Sequence, residues 1–339
     1  MQKKKALITG IAGQDGAYLA KILLEKGYKV IGGQREHARG NLWRLKELNI
    51  EKKIKIVPFE LLEEDSVNEG IRLGQFNEVY NLAAQSFVEK SFESPVYTSD
   101  VNSLGVTRIL EAIRQFSPRT KLYQASSSEM FGNVKSKRQN ENTSFEPVSP
   151  YAVSKLYSHW MIKVYRDAYD LYCCSGILFN HTSPLRGDEF VTKKIIGDLI
   201  KVKLKKISHV NLGNIHVCRD WGYSLDYVEA MWKMLQQKKP EDYVISSGIT
   251  HTVKDFINKV AKYLEMDIFW QGKDLDEVAI DKKSGKKIIR IQKKFFRPND
   301  INHTYGNSYK ARTTLNWNPK TDFNTLVKLM CDTELKKNS

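Results

Sequence analysis

Over about the first 170 residues, short apolar runs alternate with stretches whose apolar positions recur at helical spacing. This alternation is typical of a parallel sheet whose strands are connected by helices. The runs that predict strands are 6–9, 30–31, 55–57, 78–82, 121–125 and 174–179. Beyond about residue 180 the spacing is less regular and charged turns are more frequent, which favours a smaller second domain. We therefore expect an α/β protein with a doubly wound, Rossmann-type parallel sheet and a smaller C-terminal substrate-binding domain.

A glycine-rich turn follows the first predicted strand directly. Gly10, Gly13 and Gly16 recur at three-residue spacing between that strand and the helix predicted after it. The first glycine permits a tight turn, the second lets the backbone approach a pyrophosphate, and the third allows close helix–strand packing. The pyrophosphate would then lie at the helix N-terminus, where free N–H groups favour negative charge. The turn indicates dinucleotide binding, and the alternative is a purely structural turn.

The end of the second predicted strand bears on which dinucleotide binds. An acidic residue there binds the ribose of NAD, whereas an arginine pairs with the extra phosphate of NADP. Arg35 offers a planar guanidinium that suits a phosphate, whereas the charge of Glu36 would repel one. We expect NADP rather than NAD, the alternative being an exposed pair that contacts no ligand.

Two pairs of polar residues follow the fifth predicted strand, and one of these pairs opens the next predicted helix. Tyr151 and Lys155 are four residues apart, so they share one helix face. A phenol has a pKa of about 10, and an adjacent ammonium and a nicotinamide cation would both favour the phenolate, which can take a hydroxyl proton as hydride leaves the same carbon. In a chain that also has the glycine turn, this pair indicates a short-chain dehydrogenase/reductase.

Ser127 and Glu129 follow the fifth predicted strand and should reach the same crevice as Tyr151, because the active sites of such sheets lie at the carboxyl ends of the strands. A carboxylate there suggests a second proton transfer, at a carbon next to a carbonyl. Alternatively, Glu129 caps the following turn.

Composition narrows the class of protein. The 339 residues include 54 Lys+Arg and 39 Asp+Glu, a formal charge of +15. With 41% hydrophobic residues the chain is not disordered, and no apolar run is long enough for a membrane helix or a signal peptide. The four cysteines have no metal-ligand spacing, which favours reduced thiols in a cytoplasmic protein and no metal. The spread of basic residues favours an anionic nucleotide ligand over nucleic acid, which remains the alternative from charge alone.

The chain resembles the GDP-mannose 4,6-dehydratase family, an extended branch of the short-chain dehydrogenases/reductases. The resemblance runs from 7–10 to 315–319, and its most specific stretches are 80–86, 123–132, 176–181, 219–222, 226–232 and 296–298. Departures from the family pattern are Ser127 for Thr, Thr182 for Glu, Asp300 for Glu, and the loop 37–43.

The resemblance implies a redox-neutral dehydration of GDP-mannose to GDP-4-keto-6-deoxy-mannose. Hydride leaves C4 while Tyr151, with Lys155, accepts the hydroxyl proton. Glu129 then removes the C5 proton, and water leaves C6 with Ser127 or Glu129 as proton donor before hydride returns to C6. Alternatives are a GDP-D-glycero-D-manno-heptose 4,6-dehydratase, a GDP-4-keto-6-deoxy-sugar reductase and a nucleotide-sugar-binding protein without turnover.

The resemblance also implies the binding residues and the domains. For the cofactor they are Gly10, Gly13, Gln14, Asp15, Gly16, Arg35, Glu60, Leu61, Leu82, Ala83, Ala84, Tyr151 and Lys155. For the substrate they are Ser86, Asn180, Arg186, Val191, Lys194, Arg219, Arg297 and Asp300. We expect His181 to pack or form local hydrogen bonds rather than catalyse. Residues 1–180 would form the cofactor domain, rejoined by parts of 215–245 and 305–320, and 181–339 mainly the nucleotide-sugar domain. We expect a homodimer or homotetramer with no nucleic-acid or membrane partner.

Overall fold

A computed structural model describes residues 3–36 and 41–338. Most of loop 37–43, where the sequence departs from the family pattern, therefore lies outside the described residues. The strands are β1 Lys5–Thr9, β2 Lys29–Gln34, β3 Lys55–Pro58, β4 Glu78–Asn81, β5 Lys121–Ser127, β6 Cys173–Leu178, β7 His181–Thr182, β8 Val210–Leu212, β9 Cys218–Asp220, β10 Gly222–Tyr223, β11 Tyr243–Ile245, β12 Thr250–Thr252, β13 Ile268–Gln271, β14 Val278–Asp281 and β15 Lys287–Ile291.

The helices lie between these strands, except for the last two, which follow β15. They are α1 Gln14–Glu25, α2 Trp43–Glu47, α3 Glu64–Gly74, α4 Val88–Glu93, α5 Pro95–Ser99, α6 Gly105–Phe116, α7 Pro150–Tyr169, α8 Val191–Lys203, α9 Ser224–Leu235, α10 Val253–Tyr263, α11 Tyr309–Thr314 and α12 Phe323–Asn338. A π-helical turn, Asp100–Leu104, joins α5 to α6.

Seven strands form one parallel sheet in the order β11-β6-β5-β4-β1-β2-β3. The predicted doubly wound sheet is therefore confirmed. The predicted fourth strand is one residue too long, because the N–H of Leu82 turns away to the Thr9 hydroxyl at 3.2 Å. The predicted fifth strand is two residues too short, because Ser126 and Ser127 still pair with Ile177 and Leu178 of β6.

Apolar side chains cover both faces of this sheet. One core includes Leu19 of α1 and Met231 of α9, and the other includes Val67 of α3 and Ile109 of α6. Each fully buried aliphatic side chain of this kind contributes about 1.5–3 kcal/mol relative to exposure. The two cores fix the sheet between helices, so the carboxyl edge of the sheet can position a ligand-binding site.

A smaller mixed sheet follows in the order β13-β14-β15-β8. Its core includes Ile196 of α8, Phe256 of α10 and Leu326 of α12. The chain also returns to the large sheet, because β11 pairs with β6 and the buried Trp317 donates to the Asp226 carbonyl at 2.8 Å. These returns support the predicted division of the chain, which stays a prediction. Among the described residues, no helix is both long and apolar enough to cross a membrane.

Candidate active site

A central cavity of about 590 Å³ opens at the carboxyl ends of β1, β4, β5 and β6. This size lies within the usual range for small-molecule sites. Of the predicted residues, those that line the cavity are Gly10, Gly13, Gln14, Asp15, Gly16, Leu82, Ala84, Ser86, Ser127, Glu129, Tyr151, Lys155, Asn180, Arg186, Val191, Lys194, Arg219, Arg297 and Asp300. The topology thus brings together residues that are up to 290 positions apart (Gly10 to Asp300).

The glycine turn has the shape that its spacing predicts. Gly10 has φ of +68°, and a Cβ there would come within 2.8 Å of the Ala83 nitrogen. A Cβ on Gly16 would come within 2.4 Å of the Gly10 carbonyl oxygen. Among the described residues, only that same oxygen would lie within 4 Å of a Cβ on Gly13, and no side chain caps α1. Open space beside uncapped helix N–H groups fits a pyrophosphate.

Four predicted cofactor residues do not line the cavity. Arg35 follows β2 in an exposed position, where its Nη1 donates to the Tyr97 hydroxyl at 2.8 Å. Leu61 is buried in the core, and its carbonyl accepts a hydrogen bond from Arg108 at 2.8 Å. The other two are Glu60, whose carboxylate accepts from the Leu62 N–H at 3.3 Å, and Ala83, whose N–H donates to the Thr9 hydroxyl at 3.1 Å. Their roles toward a cofactor stay predictions.

The predicted pair on α7, Tyr151 and Lys155, is buried. Ser149 caps the helix by accepting from the Ala152 N–H at 3.1 Å, which places Tyr151 and Lys155 on the face toward β5. The Lys155 ammonium donates to the Ala125 carbonyl at 2.9 Å, and burial lowers its pKa to about 8. Burial also raises the pKa of Tyr151 to about 12, opposed by a hydrogen bond from Ser127. The phenol is thus protonated at neutral pH unless a further positive charge acts on it.

Ser127 ends β5 and Glu129 follows it in the next turn, both close to Tyr151. The Ser127 Oγ accepts a hydrogen bond from the Glu129 N–H at 3.2 Å and so caps the short turn 128–131. The alternative that Glu129 caps this turn is therefore wrong. Its carboxylate lines the cavity 3.8 Å from Arg297 Nη1, and its charge acts on the Tyr151 phenol. A hydroxyl, a phenol and a carboxylate thus converge on one wall of the cavity.

Three arginines and one amide line a neighbouring part of the cavity, here called the cationic wall. Arg219 is buried, and its Nη2 donates to Asp300 Oδ1 at 2.9 Å. Arg297 Nη1 lies 3.3 Å from the same oxygen. Burial lowers the pKa of Arg186 to about 10, which still leaves it cationic at neutral pH. The Asn180 Oδ1 atom is buried without a hydrogen-bond partner among the described residues. These groups fit an anionic, hydrogen-bonding ligand such as a nucleoside diphosphate.

Sequence reasoning missed Arg44 and placed His181 correctly. Arg44 lines the cavity and donates to the carbonyls of Ala12 at 2.9 Å and Leu185 at 2.6 Å. A single arginine in a short helix carries no motif, so no sequence signal could have found it. His181 forms local hydrogen bonds, as expected: its Nδ1 contacts the Phe179 carbonyl and its Nε2 contacts Asp15, each at 2.8 Å.

Comparison with known proteins agrees with this geometry. Residues 7–330 match the family model described as GDP-mannose 4,6 dehydratase. The chain is 43% identical to the GDP-mannose 4,6 dehydratase of Drosophila melanogaster, with 98% of this chain and 86% of that protein covered, and 42% identical to that of Homo sapiens, with 98% and 92% covered. The fold is similar to that of a Thermus thermophilus UDP-glucose 4-epimerase solved in complex with NAD, at a TM-score of 0.81, 25% identity, and 98% and 99% coverage.

Proposed function

The chain belongs to the GDP-mannose 4,6-dehydratase family, and we propose that it converts GDP-mannose to GDP-4-keto-6-deoxy-mannose. The observation that carries this proposal is the meeting of Ser127, Glu129 and Tyr151 in one cavity with the cationic wall. A hydroxyl and a phenol suffice for oxidation and reduction. The carboxylate adds the proton transfer that an elimination requires, which favours a dehydratase over a simple reductase.

We propose that a nicotinamide dinucleotide binds along the glycine turn, with its pyrophosphate at the N-terminus of α1. Such a dinucleotide would supply the hydride chemistry of the reaction, the transfer from C4 of the hexose and the return to C6. The preference for NADP rests on Arg35, whose guanidinium is held at the end of β2 by the Tyr97 hydroxyl. An arginine that is already oriented in this way loses less entropy when it pairs with a phosphate.

Tyr151 is the proposed base for the C4 hydroxyl. Because burial keeps its phenol protonated at neutral pH, it needs positive charge nearby to act as a base. The Lys155 ammonium lies 5.8 Å from the centre of the Tyr151 ring, and the Ser127 hydroxyl stabilises the phenolate by a hydrogen bond. These groups stabilise the phenolate, and the positive charge of a bound nicotinamide would be the further charge that lets the phenol accept and return the C4 hydroxyl proton.

Glu129 is the proposed base at C5. A ketone at C4 acidifies the neighbouring C–H, and a carboxylate on the same wall as Tyr151 can remove that proton. Loss of the C6 hydroxyl as water then needs a proton, which Glu129 or Ser127 donates. Burial of Glu129 keeps the proton that it removes close to the leaving hydroxyl, and a proton from solvent must then reach C5 when hydride adds to C6.

The nucleotide end is proposed to bind at the cationic wall. Arg186 and Arg297 would contact the diphosphate, since a guanidinium pairs with phosphate oxygens through two parallel hydrogen bonds. The unpartnered Asn180 Oδ1 would accept a hydrogen bond from the ligand. Further contacts are proposed for Ser86, Val191, Lys194, Arg219 and Asp300, all of which line the cavity.

Incubation with GDP-mannose and NADP⁺ in D₂O tests this function. We expect a product that has lost one water and carries one deuterium at C5, with no net change in nicotinamide absorbance. Stoichiometric reduction of the dinucleotide, with the oxygen count of the sugar retained, would overturn the proposal. GDP-D-glycero-D-manno-heptose in a parallel reaction assigns the sugar, since faster loss of water from the heptose would replace the hexose as substrate.

A second copy of the chain is the proposed partner. Val153, Tyr157, Trp160 and Val164 form an exposed stripe along α7, each between 39% and 54% exposed. Their spacing of four, three and four residues places them on one helix face, and pairing two such faces about a two-fold axis would remove both from water. Trp160→Glu should shift sedimentation toward the monomer, whereas Lys163→Glu should not; equal behaviour would contradict the homodimer. The cytoplasmic location stays a prediction.

A further inference from the structure

Arg297 stands between two carboxylates at the edge of the central cavity. Its Nη1 lies 3.3 Å from Asp300 Oδ1 and 3.8 Å from Glu129 Oε1. Its side chain is 28% exposed, and both separations are longer than those of a well-formed charged hydrogen bond. The guanidinium is therefore shared: it contacts both carboxylates and forms a close ion pair with neither.

The neighbouring Arg219 is held quite differently. Its Nη1 donates to the carbonyls of Cys218 at 3.0 Å and Ile301 at 2.7 Å, and its Nη2 donates to Asp300 at 2.9 Å. With its side chain only 7% exposed, this guanidinium has little freedom to turn toward a ligand. Arg219 therefore secures the segment that carries Asp300, and Arg297 is the more available cation of the two.

Because Glu129 is one of the two partners of Arg297, this shared contact affects the proposed base. Its carboxylate faces Arg297 directly, and its charge also acts on the buried Arg219. A carboxylate that is paired with a guanidinium must leave that contact before it can approach a C–H bond of the ligand. The carboxylate proposed to remove the C5 proton is thus restrained by the same arginine that is proposed to bind the diphosphate.

We propose that Arg297 couples diphosphate binding to the release of Glu129. This inference rests on the proposed function and deepens it. A diphosphate provides several anionic oxygens and outcompetes a single carboxylate at 3.8 Å for the guanidinium. As Arg297 turns to the diphosphate, Glu129 loses its cationic partner and is free to act on the sugar. Arg297 is then a positioning residue for Glu129 as well as a ligand of the substrate.

Binding of GDP to the NADP⁺-loaded protein tests the coupling without turnover. Glu129→Gln removes one of the two carboxylates that compete for Arg297 and leaves Asp300 in place, so GDP should bind about three- to tenfold more tightly than to the wild type. In the Arg297→Gln background the same change should tighten binding by less than about twofold, because only direct repulsion between Glu129 and the diphosphate is then relieved. Equal tightening in both backgrounds, or none in either, would overturn the proposal.

Controls separate this result from a loss of folding and from failure of the proposed function. Arg290→Gln makes the same chemical change at an exposed position on β15, outside the cavity lining, and should leave GDP affinity unchanged. Arg297→Lys keeps the charge and should keep most of the coupling, which preserves the test if the glutamine variant does not fold. Failure of the wild type to dehydrate GDP-mannose would refute the proposed function, whatever the binding cycle gives.

Steady-state kinetics give a second reading of the coupling. Arg297→Gln removes a ligand of the diphosphate but also frees Glu129 permanently. We expect KM for GDP-mannose to rise about tenfold or more, while kcat falls by less than about threefold. A fall in kcat larger than the rise in KM would mean that Arg297 acts mainly in the chemical step, which contradicts a role in releasing Glu129.

Discussion

Lys155 and Arg297 both reach the central cavity, but the two halves of the molecule hold these cations in different ways. Lys155 projects from α7 and donates to the Ala125 carbonyl of β5 at 2.9 Å, with 4% of the residue exposed. Arg297 follows the smaller mixed sheet and lies between two carboxylates at 3.3 and 3.8 Å, with 28% of its side chain exposed. The first contact is to backbone that cannot move without breaking the parallel sheet, whereas the second is between side chains that can rotate.

This difference matches what each half is proposed to do. A proton acceptor must meet a reacting carbon within a fraction of an ångström, which favours groups attached to rigid strands and helices. A group that recognises a charged ligand must release its own partner and accept the ligand, which favours shared ion pairs at a partly exposed edge. Substitutions on the sheet side should therefore affect the chemical step, and those on the arginine side should affect binding.

The largest effect is expected from Tyr151→Phe, which would show whether the sheet side governs chemistry. The substitution removes the proposed proton acceptor while keeping the ring, so kcat should fall about 10³-fold or more with GDP affinity unchanged within about twofold. Single-turnover product formation and GDP titration measure the two quantities. Tyr309→Phe, at an exposed tyrosine of α11 outside the cavity lining, is the matched control, and a retained kcat in Tyr151→Phe would remove the phenol from the mechanism.

Lys155→Met comes next and adds a dependence on pH. Burial lowers the pKa of Lys155 to about 8 from 10.5, so the unfolded chain binds more protons than the folded protein between these values. This group therefore makes stability rise with pH across that window, by up to about 3 kcal/mol, and the rise should be absent in Lys155→Met. Activity at neutral pH should fall about 100-fold because the phenolate loses a nearby cation.

Urea unfolding at pH 7.5 and pH 10, with Lys163→Met as the surface control, measures the stability difference. Other lysines contribute to the total pH dependence, so the comparison between the two variants isolates Lys155. Identical pH dependence in wild type and Lys155→Met would show that burial does not lower the affinity of this ammonium for its proton.

The two arginines of the smaller half provide a third comparison. Arg219→Gln breaks a buried ion pair with Asp300 and leaves the Ile301 carbonyl without its donor, so the free energy of unfolding should fall by about 3 kcal/mol. Arg297→Gln removes only long, partly exposed contacts and should cost less than about 1 kcal/mol. Denaturant midpoints at constant m-value report both losses, and equal losses would contradict the distinction between a secured and a shared guanidinium.

Arg35→Ala is expected to have the smallest effect. The affinity for NADP⁺ should fall about tenfold, equivalent to about 1.4 kcal/mol, with the affinity for NAD⁺ unchanged within about twofold. Isothermal titration with both dinucleotides measures the ratio, with Arg72→Ala on the exposed surface of α3 as the control. An equal loss for both dinucleotides would refute the assignment of Arg35 to the extra phosphate.

Local patterns anticipated single elements more fully than contacts between distant elements. The glycine spacing, the strand runs and the pair Tyr151 and Lys155 each have a fixed period, so the turn and the helix face follow from the residues alone. The extension of β5 to Ser127 escaped prediction because it depends on pairing with β6 rather than on hydrophobicity. Arg44 escaped for a similar reason, since its carbonyl partners Ala12 and Leu185 are distant in the sequence.

By itself the sequence determined the parallel sheet, the glycine turn and the types of side chain available for proton transfer, because these follow from hydrophobic periodicity, glycine spacing and side-chain chemistry. Only the tertiary structure decided which charges face each other. Glu129 and Arg297 come from different halves of the chain, and their separation of 3.8 Å depends on how the segment beyond the small sheet folds back over β5. Electrostatic energy depends on distance and burial, and neither quantity is encoded in local sequence.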